Sequence, residues 1–152
     1  MQTFASLFYC IMKILILCTG NSCRSQMAEG FLKNLDKRLT VYSAGTHPAK
    51  TVNPKSVLVM QEKAIDISHH TPDNIDLYLH DFFDYVITVC DDAKEKCPVF
   101  TGKVNKRLHI PFEDPYMAKG TEEQVLNFDS NVRDQIFEKF GSLYRDEIIS
   151  QL

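Results

Sequence analysis

The spacing of hydrophobic residues predicts strands that alternate with helices along the chain. Apolar residues recur every three or four positions after residue 26, after residue 54 and from residue 122 onward, which is the period of an amphipathic helix. Runs rich in β-branched and aromatic residues are typical of strands, and they occur at residues 13–17, 39–45, 84–90 and 104–110. The 84–90 run is apolar throughout its centre, which predicts a strand buried on both faces. The 104–110 run is more basic and fits a sheet edge.

Polar residues and prolines mark where helices begin. Asn53-Pro54 combines a capping residue with proline at the first helical position, and Thr71-Pro72 repeats that signal before a short helix. The long C-terminal helix is predicted to begin at Glu122 and to kink near Gly141.

This order of elements predicts an α/β fold, a single three-layer domain with a four-stranded, mostly parallel sheet flanked by helices. The domain is expected to span residues 13–152, and residues 1–12 are interpreted as an N-terminal appendage. In parallel sheets, ligands bind beyond the carboxyl ends of the strands. Cys18 follows the first predicted strand and Cys90 ends the third, so the fold places both cysteines on one rim.

Composition and charge exclude several classes of function. The 152 residues are 44% hydrophobic and carry a net charge of −3, so no nucleic-acid partner is indicated. No apolar run approaches the ~20 residues that span a bilayer. The N-terminal stretch has no basic residue before its apolar part, so a secretory signal is not expected. Five cysteines cannot all pair internally, which indicates a reducing, cytoplasmic compartment and cysteines used for chemistry.

The strongest candidate site is the segment Cys18-Thr19-Gly20-Asn21-Ser22-Cys23-Arg24-Ser25. It joins a strand to a helix, so the N–H groups of residues 19–25 and the positive end of the helix dipole converge on an anion site. Arg24 adds planar donors that match a tetrahedral oxyanion. The positive field is expected to favour the thiolate of Cys18, which is the nucleophilic form. The alternative is a chance Cys–Arg spacing around an inert buried cysteine, and the strand–loop–helix context argues against it.

Cys90 and Cys97 form a second candidate group, seven positions apart on a polar segment. Their spacing is too wide for a C-x-x-C redox motif and lacks the second cluster of a zinc site. A helix would separate them by ~10 Å. That exceeds what a disulfide tolerates, so pairing requires a bent or unwound segment. Two unrelated reduced thiols are the alternative, but the position of Cys90 on the Cys18 rim favours a relay.

Other polar residues carry weaker signals. Asp114, held beside Pro115 after the fourth strand, is a candidate general acid, although Asp-Pro alone is most often a turn. Cys23 is a candidate auxiliary thiol, and Cys10 receives no role. Several oxygen-bearing side chains either gather around a monovalent cation or cap local backbone, and the sequence alone favours capping; they are Asn21, Glu29, Ser43 and Asp73.

The loop, followed by Gln26-Met27-Ala28-Glu29, resembles the signature of the low-molecular-weight tyrosine phosphatases and of the arsenate reductases built on that fold. Asp114-Pro115 matches the general acid of that family. Cys90 and Cys97 resemble the extra cysteine pair of the thioredoxin-coupled arsenate reductases, and residues 42–45, 52–54, 66–68 and 120–122 also look like that branch. The similarity covers roughly residues 13–140.

The resemblance implies a three-cysteine reduction of arsenate to arsenite. Cys18 would attack arsenate held by the loop and Arg24, while Asp114 protonates the departing oxygen. Cys90 would then release arsenite by forming a disulfide with Cys18, and Cys97 would free Cys18 by forming a disulfide with Cys90. Thioredoxin would reduce that final disulfide. No cofactor is required, but some family members bind potassium at positions that match Asn21, Ser43 and Asp73.

Two other functions remain open from the sequence. A phosphatase would hydrolyse phosphomonoesters through a phospho-enzyme on Cys18, with Cys90 and Cys97 as redox protection. Tyr116 favours this alternative, because phosphatases of this fold carry aromatic residues at the rim. A non-enzymatic oxyanion or redox sensor is the third hypothesis, and the intact nucleophile, arginine and acid argue against it.

Overall fold

The chain forms one four-stranded parallel sheet. The computed structural model describes residues 11–152, so residues 1–10, with Cys10 and most of the predicted appendage, lie outside the described residues. The strands are β1 (Met12–Cys18), β2 (Leu39–Gly45), β3 (Phe82–Thr88) and β4 (Lys103–His109). Their order in the sheet is β2-β1-β3-β4, and every neighbouring pair is parallel.

Each face of the sheet has its own hydrophobic core. The described residues include three α-helices, α1 (Arg24–Leu35), α2 (Pro54–Gln61) and α3 (Glu122–Leu143). Ile14 and Ile16 of β1 pack in the core that contains apolar residues of all three helices. Leu15 points to the opposite face, as the strand period of two requires. That second face is covered by a 3₁₀-helix at Ile75–Tyr78 and by Phe100. The predicted α/β fold is confirmed.

Two helix boundaries differ from the sequence prediction. The short helix begins at Ile75 rather than after Thr71-Pro72, because the Asn74 side chain accepts a hydrogen bond from the Asp76 N–H and caps it there. Gly141, where a kink was predicted, lies inside the continuous helix α3. Helix α3 continues to Leu143 and then widens into a π-helical turn at Tyr144–Ile148.

The strand order places the ends of β1 and β3 side by side. The chain passes from β1 to β2 on one side and later to β3 on the other, which makes this rim the point where the strand order reverses. Strand β3 ends at Thr88, so Cys90 lies two residues beyond it instead of ending it. The Val89 N–H still donates to the Leu17 carbonyl at 2.9 Å, and this bond keeps Cys90 next to Cys18. Within residues 11–152, no helix has the length and apolar character needed to cross a membrane.

Candidate functional site

The loop from residue 19 to residue 23 is held by its carbonyl groups. All five carbonyls accept hydrogen bonds from neighbouring parts of the chain. The N–H groups of His47 and Ala49 donate to the carbonyls of Thr19 and Gly20. The Gln26 side chain donates to the Asn21 carbonyl. The N–H groups of Asn53 and Met27 donate to the carbonyls of Ser22 and Cys23. In a trans peptide the N–H points opposite to the carbonyl. The loop therefore turns its N–H groups away from the scaffold, toward a common centre at the start of α1.

Asn21 holds the tightest turn of this loop. Its φ of 50° is left-handed, and successive N–H groups in such a turn form a concave anion-binding surface. The side-chain amide donates to Ser25 Oγ and Ser43 Oγ, both at 2.8 Å, and its oxygen accepts from the Asp73 N–H at 2.8 Å. These bonds offset the strain of a non-glycine residue in this conformation. The Ser25 hydroxyl thus supports Asn21, and both residues are fully buried.

Gly45 lets β2 approach the loop closely. A Cβ atom on this residue would lie 2.3 Å from the Thr19 carbonyl oxygen and 3.1 Å from the Asn21 nitrogen. Both atoms belong to the backbone, so no side-chain movement could relieve the overlap. The position of Thr19 and Asn21 therefore depends on a glycine here.

Arg24 projects from the first turn of α1 toward the centre of the loop. Its side chain is only 3% exposed. One terminal nitrogen donates to the Phe112 carbonyl at 3.1 Å, and the other donates to Glu95 Oε1 at 2.9 Å. Nε is buried and has no hydrogen-bond partner among the described residues. The side chain is thus oriented by fixed protein groups, and these two bonds use only two of the five N–H donors of the guanidinium.

Burial controls the state of Cys18, which is 3% exposed. Burial raises the pKa of the Cys18 thiol, while the Arg24 guanidinium and the Thr19 N–H act in the opposite direction and Glu95 and Asp114 add to the rise. The effect of the positive field on Cys18 is the predicted one, a lower pKa, but the field does not act alone. Arg24 lowers the pKa as expected, but burial outweighs it.

Cys90 and Cys97 are joined by a disulfide, with their Cα atoms 5.7 Å apart. The intervening segment is not a helix. It makes one turn, in which the N–H groups of Lys94 and Glu95 donate to the Asp91 carbonyl, and then bends back. This is the bend that pairing was predicted to require. Cys90 is fully buried at the sheet rim, and Cys97 is partly exposed.

Asp114 is brought to the same centre. The Phe112 N–H donates to the Val89 carbonyl at 3.1 Å, which fixes the segment that follows β4 to the end of β3. Asp114 Oδ1 accepts from the Tyr116 N–H, and Oδ2 lies 3.6 Å from the Arg24 guanidinium. The structure thus gathers Cys18, Arg24, Asp114 and the Cys90–Cys97 pair around the carboxyl ends of β1 and β3. A buried nucleophile, a fixed cation, converging N–H groups and a carboxyl group can bind a tetrahedral oxyanion and protonate a leaving oxygen.

Comparison with known proteins places the chain in a family. The family model for low molecular weight phosphotyrosine protein phosphatase matches residues 13–145. The chain belongs to the low molecular weight phosphotyrosine protein phosphatase family. The sequence-based resemblance is confirmed, and the protein is an enzyme of this family.

Several relatives of the chain are arsenate reductases. An arsenate reductase of Bacillus licheniformis is 50% identical over 127 residues, which cover 83% of this chain and 90% of the relative. A solved arsenate reductase in the reduced state is 33% identical with a TM-score of 0.70, covering 89% of this chain and 98% of that one. Another in the oxidized state is 31% identical with a TM-score of 0.71, covering 88% and 97%.

The side chains that were candidates for binding a monovalent cation are hydrogen-bonded within the protein. Ser43 Oγ accepts from Asn21 and donates to Glu29 at 2.9 Å, and the Asp73 carboxylate accepts from the Tyr78 hydroxyl at 2.8 Å. These groups brace the phosphatase-family loop, as the capping interpretation expects. Across residues 11–152, no group of three or more His, Cys, Asp or Glu residues is placed to hold a metal ion. Potassium binding here stays a prediction.

Cys23 faces the back of the loop rather than its centre. Its Sγ accepts a hydrogen bond from the Asn53 side chain at 3.2 Å, and burial raises the pKa of the Cys23 thiol to about 11. Behind it lies Asp129, which is 1% exposed and receives one hydrogen bond, from Ser56 Oγ at 3.4 Å. The other oxygen of Asp129 has no partner among the described residues. Burial raises the pKa of Asp129 to about 6.

Sequence reasoning missed four contributors to this site. Gln26 and Asn53 hold the loop, Glu95 contacts Arg24, and Asp129 lies behind Cys23. Gln26 lies within the family signature and Asn53 within a predicted helix cap, so the sequence does mark both as structurally important. The contacts of Glu95 and Asp129 join segments more than 70 residues from their partners Arg24 and Ser56, and no local pattern signals them.

Replacing Gly45 with alanine is expected to displace the loop. The added methyl group must push Thr19 and Asn21 away from β2, so we expect the affinity for inorganic phosphate, measured by calorimetry, to fall by at least about tenfold. Gly141→Ala is the matched control, because its methyl group would meet only the flexible end of Arg145. Unchanged phosphate affinity in Gly45→Ala would show that the close approach of β2 is not required.

Replacing Asp129 with asparagine is expected to stabilise the protein at neutral pH. Because the folded-state pKa is raised, ionisation of Asp129 costs stability as the pH rises from about 4 to about 6. Asp129→Asn should exceed the wild type by about 2 to 3 kcal/mol in unfolding free energy at pH 7.5, and by much less at pH 4. Urea denaturation at both values tests this. Glu138→Gln, which removes an exposed carboxylate from the same helix, should differ little from the wild type. A pH-independent difference would contradict the assignment.

Proposed function

We propose that the protein reduces arsenate to arsenite through a relay of Cys18, Cys90 and Cys97. The observation that carries this proposal is the Cys90–Cys97 pair, which lies on the same rim as a loop that is built for a tetrahedral oxyanion. Hydrolysis of a phosphomonoester needs only the loop, Arg24 and an acid. A pair of thiols beside them supplies the two electrons that reduction requires. The similarity to arsenate reductases along more than four-fifths of the chain supports the same function.

The first step forms a bond between Cys18 and arsenic. Arsenate binds to the N–H groups of residues 19–25 and to Arg24, and the Cys18 thiolate attacks the arsenic atom. Asp114 supplies a proton, so the displaced hydroxyl group leaves as water. The distance of 3.6 Å between Asp114 and Arg24 places the acid within reach of an oxyanion bound to the guanidinium.

The second step transfers the oxidation to sulfur. The Cys90 thiolate attacks Cys18 Sγ, the sulfur–arsenic bond breaks, and its electron pair remains on arsenic, which leaves as arsenite. A Cys18–Cys90 disulfide remains. The Val89–Leu17 hydrogen bond supports this step, because it holds the two cysteines on adjacent strand ends.

The third step frees the nucleophile. The Cys97 thiolate attacks Cys90 Sγ, which releases the Cys18 thiolate and leaves the Cys90–Cys97 disulfide. A dithiol protein, thioredoxin in this proposal, then returns both cysteines to thiols. Cys97 is the more accessible of the two sulfurs, since Cys90 is fully buried. The chemistry requires reduced thiols, so we place it in the cytoplasm, and no step is assigned to potassium.

Phosphatase activity is the second candidate. Tyr116 is 60% exposed at the rim, and its hydroxyl lies 3.4 Å from Ser22 Oγ. An aromatic ring in that position could stack against an aryl phosphate. Hydrolysis would use Cys18, Arg24 and Asp114 and would leave the disulfide pair idle.

Removing Cys97 separates the two functions. In Cys97→Ser the relay stops at the Cys18–Cys90 disulfide, so we expect about one arsenite per enzyme molecule and no further turnover. Thioredoxin oxidation that depends on arsenate measures this, and aryl phosphate hydrolysis under reducing conditions should stay near the wild-type rate. Cys10→Ser controls for the loss of one thiol. Normal arsenate turnover in Cys97→Ser would rule out the relay.

Removing Cys18 tests the step that both functions share. Cys18→Ser replaces the nucleophile with a hydroxyl group, which does not ionise near neutral pH, so we expect both activities to be lost. The same two assays measure this. Persistence of either activity would exclude Cys18 as its nucleophile.

A further inference from the structure

A carboxylate of the protein itself contacts one terminal nitrogen of Arg24, the guanidinium that an oxyanion would also bind. Glu95 Oε1 lies 2.9 Å from a terminal nitrogen of Arg24, whose other terminal nitrogen is engaged by the Phe112 carbonyl. The Glu95 side chain is only 18% exposed, and Arg24 is almost fully buried. A carboxylate and an arsenate or phosphate ion compete for the same guanidinium donors, because each presents two oxygens to the planar group.

Glu95 also changes the charge that an incoming anion meets. The Glu95 carboxylate already lies at hydrogen-bond distance from Arg24, and the Asp114 carboxyl group lies 3.6 Å from the same guanidinium. A dianionic oxyanion would be repelled by this arrangement. Glu95 also adds to the factors that raise the pKa of Cys18, so the nucleophile is less available while Glu95 is in place.

The disulfide closes the segment that carries Glu95. Glu95 lies between Cys90 and Cys97, whose Cα atoms the bond holds 5.7 Å apart. The intervening turn has two backbone hydrogen bonds, both to the Asp91 carbonyl. When a dithiol reductant supplies two electrons and two protons, the disulfide becomes two thiols and this tether is lost. A cavity of about 280 Å³ bounded by Glu95, Asp114 and Phe128 leaves room for the side chain to move away.

We propose that Glu95 is a redox-controlled blocking group. While the Cys90–Cys97 disulfide is closed, its carboxylate occupies Arg24 and excludes the oxyanion, and reduction of the disulfide releases it. The proposal rests on the oxyanion-binding role of the loop, which the arsenate and phosphate functions share. Blocking the oxyanion site in the disulfide form would benefit only the relay. An arsenate adduct formed on Cys18 while Cys90 is oxidised would have no thiolate to resolve it.

Binding of inorganic phosphate tests this proposal without any turnover. Calorimetry would compare the disulfide and reduced forms of the wild type, Glu95→Gln and Glu95→Ala. We expect the wild type to bind phosphate at least about tenfold more weakly in the disulfide form, because a charge-assisted hydrogen bond must be displaced. Both variants should bind tightly in the disulfide form, and their reduced forms should match the reduced wild type.

Glu113→Gln is the matched control. Glu113 is an exposed carboxylate that lines the same cavity without an ion pair to Arg24, so its removal should leave the difference between the two redox forms intact. Equal affinities in the two wild-type forms, or weak binding by the oxidised Glu95 variants, would overturn the proposal. An equal effect of Glu113→Gln would also overturn it, since general charge would then be the cause. None of these outcomes depends on arsenate reduction, so failure of the relay would be recognised separately.

Discussion

The candidate site depends on the direction of five carbonyl groups. Residues 19–23 form no regular structure, and their backbone is ordered because each carbonyl accepts a hydrogen bond from outside the loop centre. The donors come from the start of α1, from the segment after β2 and from the cap of α2. If one of these bonds were lost, its peptide could rotate and withdraw the adjoining N–H from the anion site. The proposed oxyanion site therefore depends on the whole rim of the sheet.

The buried positive charge of Arg24 requires negatively charged groups close to it. A buried guanidinium is costly unless an anion is paired with it, and Arg24 has Glu95 at 2.9 Å and Asp114 at 3.6 Å. The same burial raises the pKa of Cys18, and each carboxylate that satisfies Arg24 raises it further. Cation and nucleophile are thus coupled. The identity of the anion on Arg24 affects both the affinity for substrate and the fraction of Cys18 that is ionised.

The features that were predicted correctly depend on local sequence or on general rules of parallel sheets. The strand–loop–helix unit is encoded within about 25 residues, and the shared rim of Cys18 and Cys90 follows from strand direction. The start of the short helix was wrong because two capping signals compete there, and the Asn74 side chain caps the helix. The net direction of the Cys18 pKa could not be predicted, because burial depends on packing across the whole domain and outweighs the lowering by Arg24. The contact of Glu95 depends on the fold of the cysteine segment, which spacing alone leaves open.

The proposed relay places different mechanical requirements on the two cysteines of the pair. In that proposal Cys90 reaches two partners in turn and benefits from a fixed position, and the Val89–Leu17 bond fixes the preceding residue at the rim that also holds Cys18. In the same proposal Cys97 approaches only after arsenite has left, so a segment that can bend suits it. That segment is held by one turn and also carries Glu95. Because Cys97 and Glu95 share this segment, we expect thiol exchange at Cys90 and access to Arg24 to be linked. The two proposals together would give a loop suited to hydrolysis the order of events that reduction requires.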